Sequence, residues 1–416
     1  MSSLTVVIPA YNEETGIAQI ARRVLDTRAG LTAVGVNEME LLIVDDGSRD
    51  NTARIAADIP GVRLIQHPHN RGYGAALKTG FSQARGELIG FLDADGTYPP
   101  EYFPQLCSVA MTGAELVIGS RMAGAESKMP FARRAGNLFF ARLLSLVGRH
   151  SVTDSASGMR VFRRGVLSRL LPLPDGLNLT PVMSTRAVHE GVRMAEVPIP
   201  YSERMGRSKL SVVHDGSLFL RSMLWTALQY NPVRILGMLG LGGILIGILC
   251  VLSLVIIRLS GVTVLTPWNV IALYAGAVLG MVGVNLFLLG IMFNYLVALF
   301  RGRPVQQGLF GKPLFQTPVD KHFSWVGLAV LLVGLGLAGY AVILGTRGWD
   351  MGQLWLYGLA SAMLILLGVE LMIFWVVLRV LDELNTQAVR ESWLTQQPAA
   401  THDLGNWVDE KEEPQP

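Results

Sequence analysis

The sequence predicts an α/β domain built on a mostly parallel sheet, followed by an α-helical membrane domain of four transmembrane helices. Two patterns predict this. Short apolar runs alternate with helical patterns over the first 120 residues, and long segments without charged residues follow residue 233. Of the 416 residues, 50% are hydrophobic and 16% are charged, whereas a soluble domain carries about 25% charged residues. This composition excludes a disordered chain, a nucleic-acid-binding arm and a purely soluble enzyme.

Within residues 1–202, five short apolar runs have the character of strands buried on both faces of a parallel sheet. They are Leu4–Ile8, Leu41–Val44, Val62–Ile65, Leu88–Leu92 and Leu116–Ile118. Three segments between them have the spacing of crossover helices, namely Glu14–Leu25, Asp50–Ala57 and Gly74–Ala84. In such a sheet the ligand binds beyond the carboxyl ends of the strands.

Residues 233–381 are expected to cross a membrane four times, at about 233–258, 270–299, 324–345 and 354–379. The connection between the second and third spans carries Arg301, Arg303, Lys312 and Lys321. The positive-inside rule therefore places this connection, the N-terminal domain and the acidic tail (382–416) in the cytoplasm. We expect disorder in the tail after about residue 397.

Two further segments have amphipathic patterns. Residues 203–232 read as an interfacial helix and linker that leads into the first span. Phe131–Val147 fits two interpretations equally, a helix on the membrane surface and an ordinary core-facing helix. Residues 121–234 contain 17 Lys and Arg against 7 Asp and Glu, a net charge of +10. Such an excess next to a membrane span favours attraction to anionic lipid or to phosphate groups.

Glu370 is the one acidic residue inside a predicted span. It either contacts a transport pathway or lipid head group, or faces a packed polar interface with Asn285 or Asn294 as its partner. We favour the polar interface.

Three polar clusters follow predicted strands, at Pro9–Glu13, Asp45–Ser48 and Asp93–Asp95. The neighbouring carboxylates of Asp93 and Asp95 repel unless a cation or proton relieves them. Oxygen ligands of this kind suit Mg²⁺ or Mn²⁺, with phosphate oxygens completing the site. The alternative is a helix cap or turn. Residues 1–232 contain neither of the glycine-rich phosphate-binding motifs, so metal and basic side chains must neutralise a diphosphate.

Basic side chains are concentrated after the last predicted strand. They are Arg121, Arg133, Arg134, Arg160, Arg204, Arg207 and Lys209. The segment Arg204–Lys209 places three cations around a glycine and a serine. It is either a phosphate clamp at the membrane face or a patch whose side chains extend along the lipid surface.

Together these motifs resemble family-2 glycosyltransferases of the GT-A fold, a Rossmann-like α/β fold. The likeness is greatest to the polyprenyl-phosphate sugar transferases, which are similar to dolichol-phosphate mannose synthase. The motifs that carry it, in chain order, are VVIPAYNEE from Val6, VDDGSRDNT from Val44, NRGYGAAL from Asn70, DADGTYPPE from Asp93, GSR from Gly119, DSASGMR from Asp154 and RMGRSK from Arg204.

The resemblance implies roles for individual residues. It assigns the nucleoside to Pro9, Ala10, Tyr11, Glu13 and Asp45, and the metal ion to Asp93 and Asp95, with Asp93 also contacting the nucleotide. It assigns binding of the lipid phosphate and of the donor diphosphate to four basic side chains, namely Arg121, either Arg133 or Arg134, Arg204, and Lys209. It places Ser157 and Gly158 in the acceptor site.

Two positions depart from the family pattern. Gly96-Thr97 replaces Leu-Gln, so Thr97 or water is expected at the metal, and Asn137 replaces the serine of the acceptor loop.

The resemblance implies inverting transfer of a sugar from a UDP- or GDP-linked donor to a polyprenyl phosphate, with Mg²⁺ or Mn²⁺, at the cytoplasmic face of the bilayer. A sugar-hydroxyl acceptor, as in polysaccharide synthesis, is the first alternative, although the Gln-x-x-Arg-Trp string of processive synthases does not occur. An inactive membrane scaffold is the second alternative. A homo-oligomer is left open.

Overall fold

The computed structural model describes residues 2–122, 129, 131–147, 152–202, 212–260, 266–301 and 322–396. The chain divides into two compact units, Met1–Tyr230 and Asn231–Pro416. The first is an α/β domain and the second consists of long apolar helices, so the predicted fold class is confirmed.

The first unit is built on a sheet of seven strands in the order β3-β2-β1-β4-β6-β5-β7. The strands are β1 (Ser2–Ala10), β2 (Val36–Asp45), β3 (Val62–Gln66), β4 (Leu88–Phe91), β5 (Leu116–Ser120), β6 (Arg160–Arg163) and β7 (Met194–Pro198). Strands β1 to β4 pair in parallel, as do β5 and β7, whereas β6 runs antiparallel between β4 and β5. All five predicted strands are present.

Helices cover both faces of this sheet. They are α1 (Ile17–Asp26), α2 (Arg28–Ala33), α3 (Thr52–Ala57), α4 (Tyr73–Gln83), α5 (Phe103–Met111), α6 (Phe131–Val147), α7 (Leu167–Leu170), α8 (Leu179–His189) and α9 (Val212–Leu228). In β1, Val6 and Ile8 pack under α1 and α5, and Val7 packs under α4 and α8. Each of these three side chains is 0% exposed, and burial of one such side chain contributes about 1.5–3 kcal/mol. Burial on both faces explains why these strands are apolar throughout.

The helix α6 has one buried and one exposed face. Ala141 and Leu144 are buried, and Leu144 joins the core layer that lies under α4 and α8. Phe131 and Phe139 are 86% and 53% exposed. The buried face of α6 agrees with the core-facing interpretation. A membrane-surface role for its exposed face stays a prediction.

The predicted linker (203–232) contains α9, which packs against α6 and α8 within the first unit. Its residue Met223 is buried in the core layer under α4 and α8. This segment is therefore part of the α/β unit as far as the structure describes it, because its apolar side chains complete that core. An additional role at the membrane surface stays a prediction.

The second unit contains four helices long and apolar enough to cross a membrane, among the residues that the structure describes. They are α10 (Pro232–Leu259), α11 (Pro267–Arg301), α12 (Phe323–Thr346) and α13 (Met351–Gln396). Helix α13 continues beyond the predicted end of its span into the predicted tail, because the residues after 381 stay helix-forming where their hydropathy falls. Residues 397–416, where we expected disorder, lie outside the described part.

Glycines set the spacing of these helices. A Cβ atom on Gly240 of α10 would lie 2.6 Å from the Gly283 carbonyl of α11, and one on Gly327 of α12 would lie 2.9 Å from the Gly368 carbonyl of α13. Backbones this close require the absence of side chains. The Asn285 side chain of α11 donates to the Met281 carbonyl of its own helix at 3.2 Å, and Oε2 of Glu370 has no hydrogen-bond partner. The packed polar interface for Glu370 therefore stays a prediction.

Candidate active site

The strands that carry the polar clusters end side by side at one edge of the sheet. Ala10 at the end of β1 lies opposite Asp45 at the end of β2, and Phe91 of β4 lies opposite Val7 of β1. The clusters after these strands therefore leave the sheet at a common edge. This is where open α/β sheets bind ligands.

A cavity of about 580 Å³ lies beyond the ends of β1, β2 and β3. It is lined by Tyr11, Asp45, Gly47, Ser48, Arg49, Ala53, Gln66, His67, Pro68, His69 and Asn70. Asp45 is 2% exposed. Its Oδ2 atom accepts from the Ser48 amide at 3.4 Å, and its Oδ1 atom has no hydrogen-bond partner. A buried carboxylate oxygen without a partner is costly, so a ligand N–H or O–H group would stabilise this wall.

Side chains hold the turn after β1 in place. Asn12 has a φ of +53°, a conformation that asparagine tolerates better than most residues. Its amide donates to Ser48 Oγ at 2.9 Å, and its Oδ1 atom accepts from the Arg49 amide at 2.8 Å. The Glu13 amide donates to Thr52 Oγ1 at 2.8 Å. The turn that carries Tyr11 is thereby tied to the loop that follows β2.

Two of the predicted nucleoside residues, Pro9 and Ala10, are the last residues of β1 and are buried. Among the five residues assigned to the nucleoside, Tyr11 and Asp45 line the cavity. The roles of Pro9, Ala10 and Glu13 stay predictions.

Asp46, which the sequence analysis left without a ligand role, forms a buried cluster behind this cavity. His67 Nδ1 lies 2.7 Å from Asp46 Oδ1, and both side chains are about 5% exposed or less. The Asp46 carboxylate also accepts from the amides of Arg71 and Gly72 at 2.9 and 2.8 Å. The other ring nitrogen of His67 lies 3.0 Å from Thr79 Oγ1. This cluster fixes the loop between β3 and α4.

The pair Asp93 and Asp95 follows β4, and each carboxylate has a defined neighbour. The Tyr73 hydroxyl donates to Asp93 Oδ1 at 2.7 Å. The Thr97 hydroxyl donates to Asp95 Oδ1 at 2.6 Å, so in this arrangement Thr97 orients a carboxylate. Burial, together with the charge of Asp93, raises the pKa of Tyr73 well above its usual value. The phenol therefore stays protonated and remains a donor at neutral pH.

These residues fit a divalent cation by the chemistry of their donors. The carboxylates of Asp93 and Asp95 and the hydroxyl of Thr97 supply the hard oxygen atoms that Mg²⁺ and Mn²⁺ prefer. Among the described residues, no three His, Cys, Asp or Glu side chains are grouped for a metal ion. A metal ion at Asp93, Asp95 and Thr97 therefore stays a prediction.

Arg121, at the end of β5, lies between two aromatic rings. Its guanidinium carbon is 5.6 Å from the centre of the Tyr98 ring and 5.5 Å from that of Tyr201. Its Nε and Nη2 atoms donate to the two oxygens of Asp154 at 2.7 and 2.8 Å. Asn137 of α6 also donates to Asp154, at 2.9 Å. Asp154 thus binds both Arg121 and Asn137, which were predicted separately as parts of the acceptor-phosphate site.

The pair of Asp154 and Arg121 is charged. Asp154 is 0% exposed, and burial alone would raise its pKa. The charge and hydrogen bonds of Arg121 outweigh burial, so the pKa of Asp154 is lowered. Burial likewise opposes the charge on Arg121, and the charge of Asp154 reverses that effect and raises the pKa of Arg121. Asp154 is consequently an ionised structural partner that is inaccessible to substrate.

Ser157 and Arg160 of the DSASGMR segment form hydrogen bonds within the domain. The Ser157 hydroxyl donates to the Gly119 carbonyl at 2.6 Å, and Ser157 is 0% exposed. Arg160 is also 0% exposed, and its Nε and Nη2 atoms donate to the carbonyls of Ser157 and Ser155. Burial lowers the pKa of Arg160 to about 10, so it remains protonated inside the domain. The acceptor role of Ser157 stays a prediction.

The other predicted phosphate ligands are only partly described. Arg134 is exposed on α6. The side chain of Arg133, and all of Arg204 and Lys209, lie outside the described residues, so their roles stay predictions.

Residues 5–171 match the model of glycosyl transferase family 2, and residues 232–392 match a domain of unknown function (DUF8752). Dolichyl-phosphate hexose transferase of Haloferax volcanii is 33% identical over 229 residues, which cover 54% of this chain and 94% of the relative. Undecaprenyl-phosphate 4-deoxy-4-formamido-L-arabinose transferase of Proteus mirabilis is 30% identical over 313 residues, which cover 73% and 92%.

Among solved structures, glucosyl-3-phosphoglycerate synthase from Mycobacterium tuberculosis, in complex with Mn²⁺, uridine diphosphate and phosphoglyceric acid, is similar to this chain. The identity is 21%, the TM-score is 0.44, and the match covers 54% of this chain and 78% of that one.

The two relatives are matched over nearly their whole length, and the α/β unit carries the family motifs at the carboxyl edge of its sheet. The chain therefore belongs to glycosyl transferase family 2, as a membrane glycosyltransferase related to the polyprenyl-phosphate sugar transferases.

Proposed function

We propose that this protein transfers a sugar, with inversion, from a UDP- or GDP-linked donor to the phosphate of a polyprenyl phosphate at the cytoplasmic face of a membrane. The observation that carries the proposal is the unpartnered Oδ1 atom of Asp45, in a cavity at the same sheet edge as Asp93 and Asp95. The cavity offers a site for a nucleoside, and the two carboxylates are suited to a diphosphate with its cation.

The nucleoside would occupy the cavity. Uracil and guanine both carry a ring N–H group, and Asp45 Oδ1 is a buried acceptor for such a donor. Tyr11 supplies an aromatic ring on the cavity wall. Because both bases satisfy Asp45, this contact supports a nucleotide donor without choosing between UDP and GDP.

Asp93 and Asp95 would hold Mg²⁺ or Mn²⁺, with Thr97 orienting Asp95 through its hydroxyl. A bound cation neutralises charge on the diphosphate leaving group. The protein contributes the fixed carboxylates, since Tyr73 donates to Asp93 and Thr97 donates to Asp95.

The acceptor would be a lipid phosphate, which is anionic near neutral pH and needs no base to become a nucleophile. A sugar hydroxyl would need a positioned base. Asp154, the acid beside Arg121, is 0% exposed and binds Arg121 through both oxygens, so it is a poor base. Basic side chains would instead align the phosphate with the anomeric carbon by position and charge, and we assign this to Arg134, Arg204 and Lys209.

The membrane helices would anchor the protein in the bilayer that contains this acceptor. The basic connection between the second and third spans supports a cytoplasmic domain. Nucleotide sugars and the polyprenyl phosphate head group would meet on that side.

The test uses the full-length protein purified in detergent, with Mn²⁺ or Mg²⁺, a short polyprenyl phosphate and a panel of labelled UDP- and GDP-sugars. We expect label to enter the organic phase with one donor, to stop on chelation of the metal, and to fall about a hundredfold or more in Asp95→Ala. Asp58→Ala, which changes an exposed aspartate of the same domain, should keep full activity.

The opposite result would be no lipid-linked label with any donor, together with nucleotide release on addition of an oligosaccharide. That result would replace the lipid phosphate by a sugar hydroxyl as the acceptor.

A further inference from the structure

The residues between β3 and α4 connect the nucleoside cavity to the Asp93 carboxylate. We call residues 67–73 the connecting segment. At its start, His67 lines the cavity. At its end, Tyr73 donates its hydroxyl to Asp93 Oδ1 at 2.7 Å. One short stretch of chain therefore touches both parts of the proposed donor site.

The connecting segment is held from two sides. The buried carboxylate of Asp46 accepts the amides of Arg71 and Gly72 and binds the His67 ring. Just beyond the segment, the Asp175 carbonyl accepts the amides of Gly74 and Ala75 at 2.7 and 3.1 Å. These bonds immobilise the backbone on both sides of Tyr73.

Gly72 makes this arrangement sterically possible. Its φ is +103°, and a Cβ atom there would lie 2.6 Å from the Asp175 carbonyl oxygen. A side chain at this position is excluded both by the backbone conformation and by that oxygen. The close approach of the two loops fixes where α4 begins, and thus where Tyr73 stands.

Asp93 is confined on its other side as well. A Cβ atom on Gly158 would lie 2.5 Å from Asp93 Oδ2. The Gly158 amide donates to the Tyr98 hydroxyl at 2.7 Å, which holds that backbone in place. The Asp93 carboxylate therefore accepts from the Tyr73 hydroxyl and lies against the Gly158 backbone.

We infer that Tyr73 is a positioning residue, which fixes the Asp93 carboxylate for a metal-bound nucleotide. The connecting segment, anchored by Asp46, holds Tyr73 at a fixed position relative to the nucleoside cavity. This inference rests on the proposed function, since it needs a metal ion and a nucleotide at this edge of the sheet. Partners that orient a metal ligand typically change metal affinity or activity about tenfold to a hundredfold.

The experiment compares the full-length wild-type protein in detergent with Tyr73→Phe, which removes one hydroxyl. Mn²⁺ binding is measured by the loss of the free-ion electron paramagnetic resonance signal in the presence of UDP or GDP, after subtraction of the loss that the same nucleotide causes without protein. The affinity of each nucleotide is measured by calorimetry with and without Mn²⁺. Tyr102→Phe, which removes the same group elsewhere in the domain, is the matched control.

We expect Tyr73→Phe to bind Mn²⁺ about tenfold to a hundredfold more weakly in the presence of nucleotide. Nucleotide affinity without metal and the melting temperature should match the wild type. Because linkage is reciprocal, the factor by which Mn²⁺ strengthens nucleotide binding should fall by the same ratio when Mn²⁺ binding to the nucleotide-free protein is unchanged. Tyr102→Phe should match the wild type in all three measurements.

Wild-type Mn²⁺ affinity in a folded Tyr73→Phe protein would overturn the inference and leave the proposed function standing. An equal weakening of nucleotide binding with and without metal, together with a lower melting temperature, would show a purely structural role and would also overturn it. A wild-type protein that binds neither nucleotide nor Mn²⁺ would overturn both proposals.

Discussion

The donor side and the acceptor side of the candidate site use their charged groups differently. On the donor side, Asp45 presents a carboxylate oxygen without a partner in the nucleoside cavity. On the acceptor side, the guanidinium of Arg121 is already bound by the buried carboxylate of Asp154. A nucleoside would thus meet an unsatisfied acceptor, whereas a lipid phosphate would have to share Arg121 with an internal anion. A basic residue in a family motif can therefore be held as part of the scaffold.

The largest effect is expected from breaking the internal pair on the acceptor side. Asp154→Ala leaves Arg121 charged and mostly buried, which costs about 3–5 kcal/mol of folding free energy. We expect a large fall in melting temperature or a failure to fold, measured by thermal unfolding of the full-length protein in detergent. Glu101→Gln breaks an ion pair with Arg23 in which the side chains are 54% and 33% exposed, and it should cost at most about 1 kcal/mol.

The pH dependence gives an independent check on this pair. The folded state lowers the pKa of Asp154, so the pair contributes its full stability above the unfolded value of about 4. That contribution is lost as the pH falls through the lower, folded pKa. The stability difference between the wild type and Asp154→Asn should accordingly shrink in acid. A difference that stays constant down to pH values well below about 4 would contradict the charged pair.

Strands β1 to β5 could be predicted because a strand that is buried on both faces is a continuous run of apolar residues. Such a run can be recognised from the local sequence alone. Strand β6 was missed for the opposite reason. It begins with Arg160 and ends with Arg163, so its sequence has no apolar run. Arg160 is nevertheless buried, since its guanidinium N–H groups donate hydrogen bonds to carbonyls of the loop that precedes it. Helix α8 was missed because nearly all its residues are buried and it has no polar face.

In the candidate site, too, the local sequence predicts some features and misses others. The positions of Asp45, Asp93 and Asp95 at one edge of the sheet could be predicted because these residues come at the ends of apolar runs. Their partners could not be predicted, since Tyr73 lies 20 residues from Asp93 in the chain and Asp154 lies 33 residues from Arg121. The motifs that contain Tyr73 and Asp154 were the only available signal, and motifs do not state which side chains meet.

A second prediction concerns the donor side. Asp45→Asn replaces the unpartnered carboxylate by an amide that can turn a donor toward the base. A hydrogen bond to a charged group contributes about 1.5–3 kcal/mol, so the Kd of the bound nucleotide should rise about tenfold to a hundredfold. Calorimetry with UDP and with GDP measures this change. Asp58→Asn, at an exposed position outside the cavity, should leave both Kd values as in the wild type.

If Asp45→Asn left nucleotide affinity unchanged, Asp45 would be part of the scaffold like Asp154. The two sides of the site would then not differ in the way that the unpartnered oxygen indicates.

The smallest effect is expected from an exposed cation on the acceptor side. If Asp154 occupies Arg121, the lipid phosphate depends more on cations such as Arg134, which is exposed on α6. Exposed charge pairs contribute about 1 kcal/mol or less, so Arg134→Ala should raise the KM for polyprenyl phosphate about threefold to fivefold. The KM for the nucleotide sugar should stay constant, and the effect should weaken at high salt because ions screen exposed charges.

Arg142→Ala separates a phosphate contact from general attraction to the bilayer. Arg142 is exposed on the same helix, two turns after Arg134, and it carries the same charge. A rise in KM for Arg134→Ala alone would identify a directed contact with the head group. Equal rises for both variants would instead mean that α6 attracts the lipid surface as a whole. In that case Arg121, despite its bond to Asp154, would again be the leading candidate among the described residues for direct contact with the acceptor phosphate.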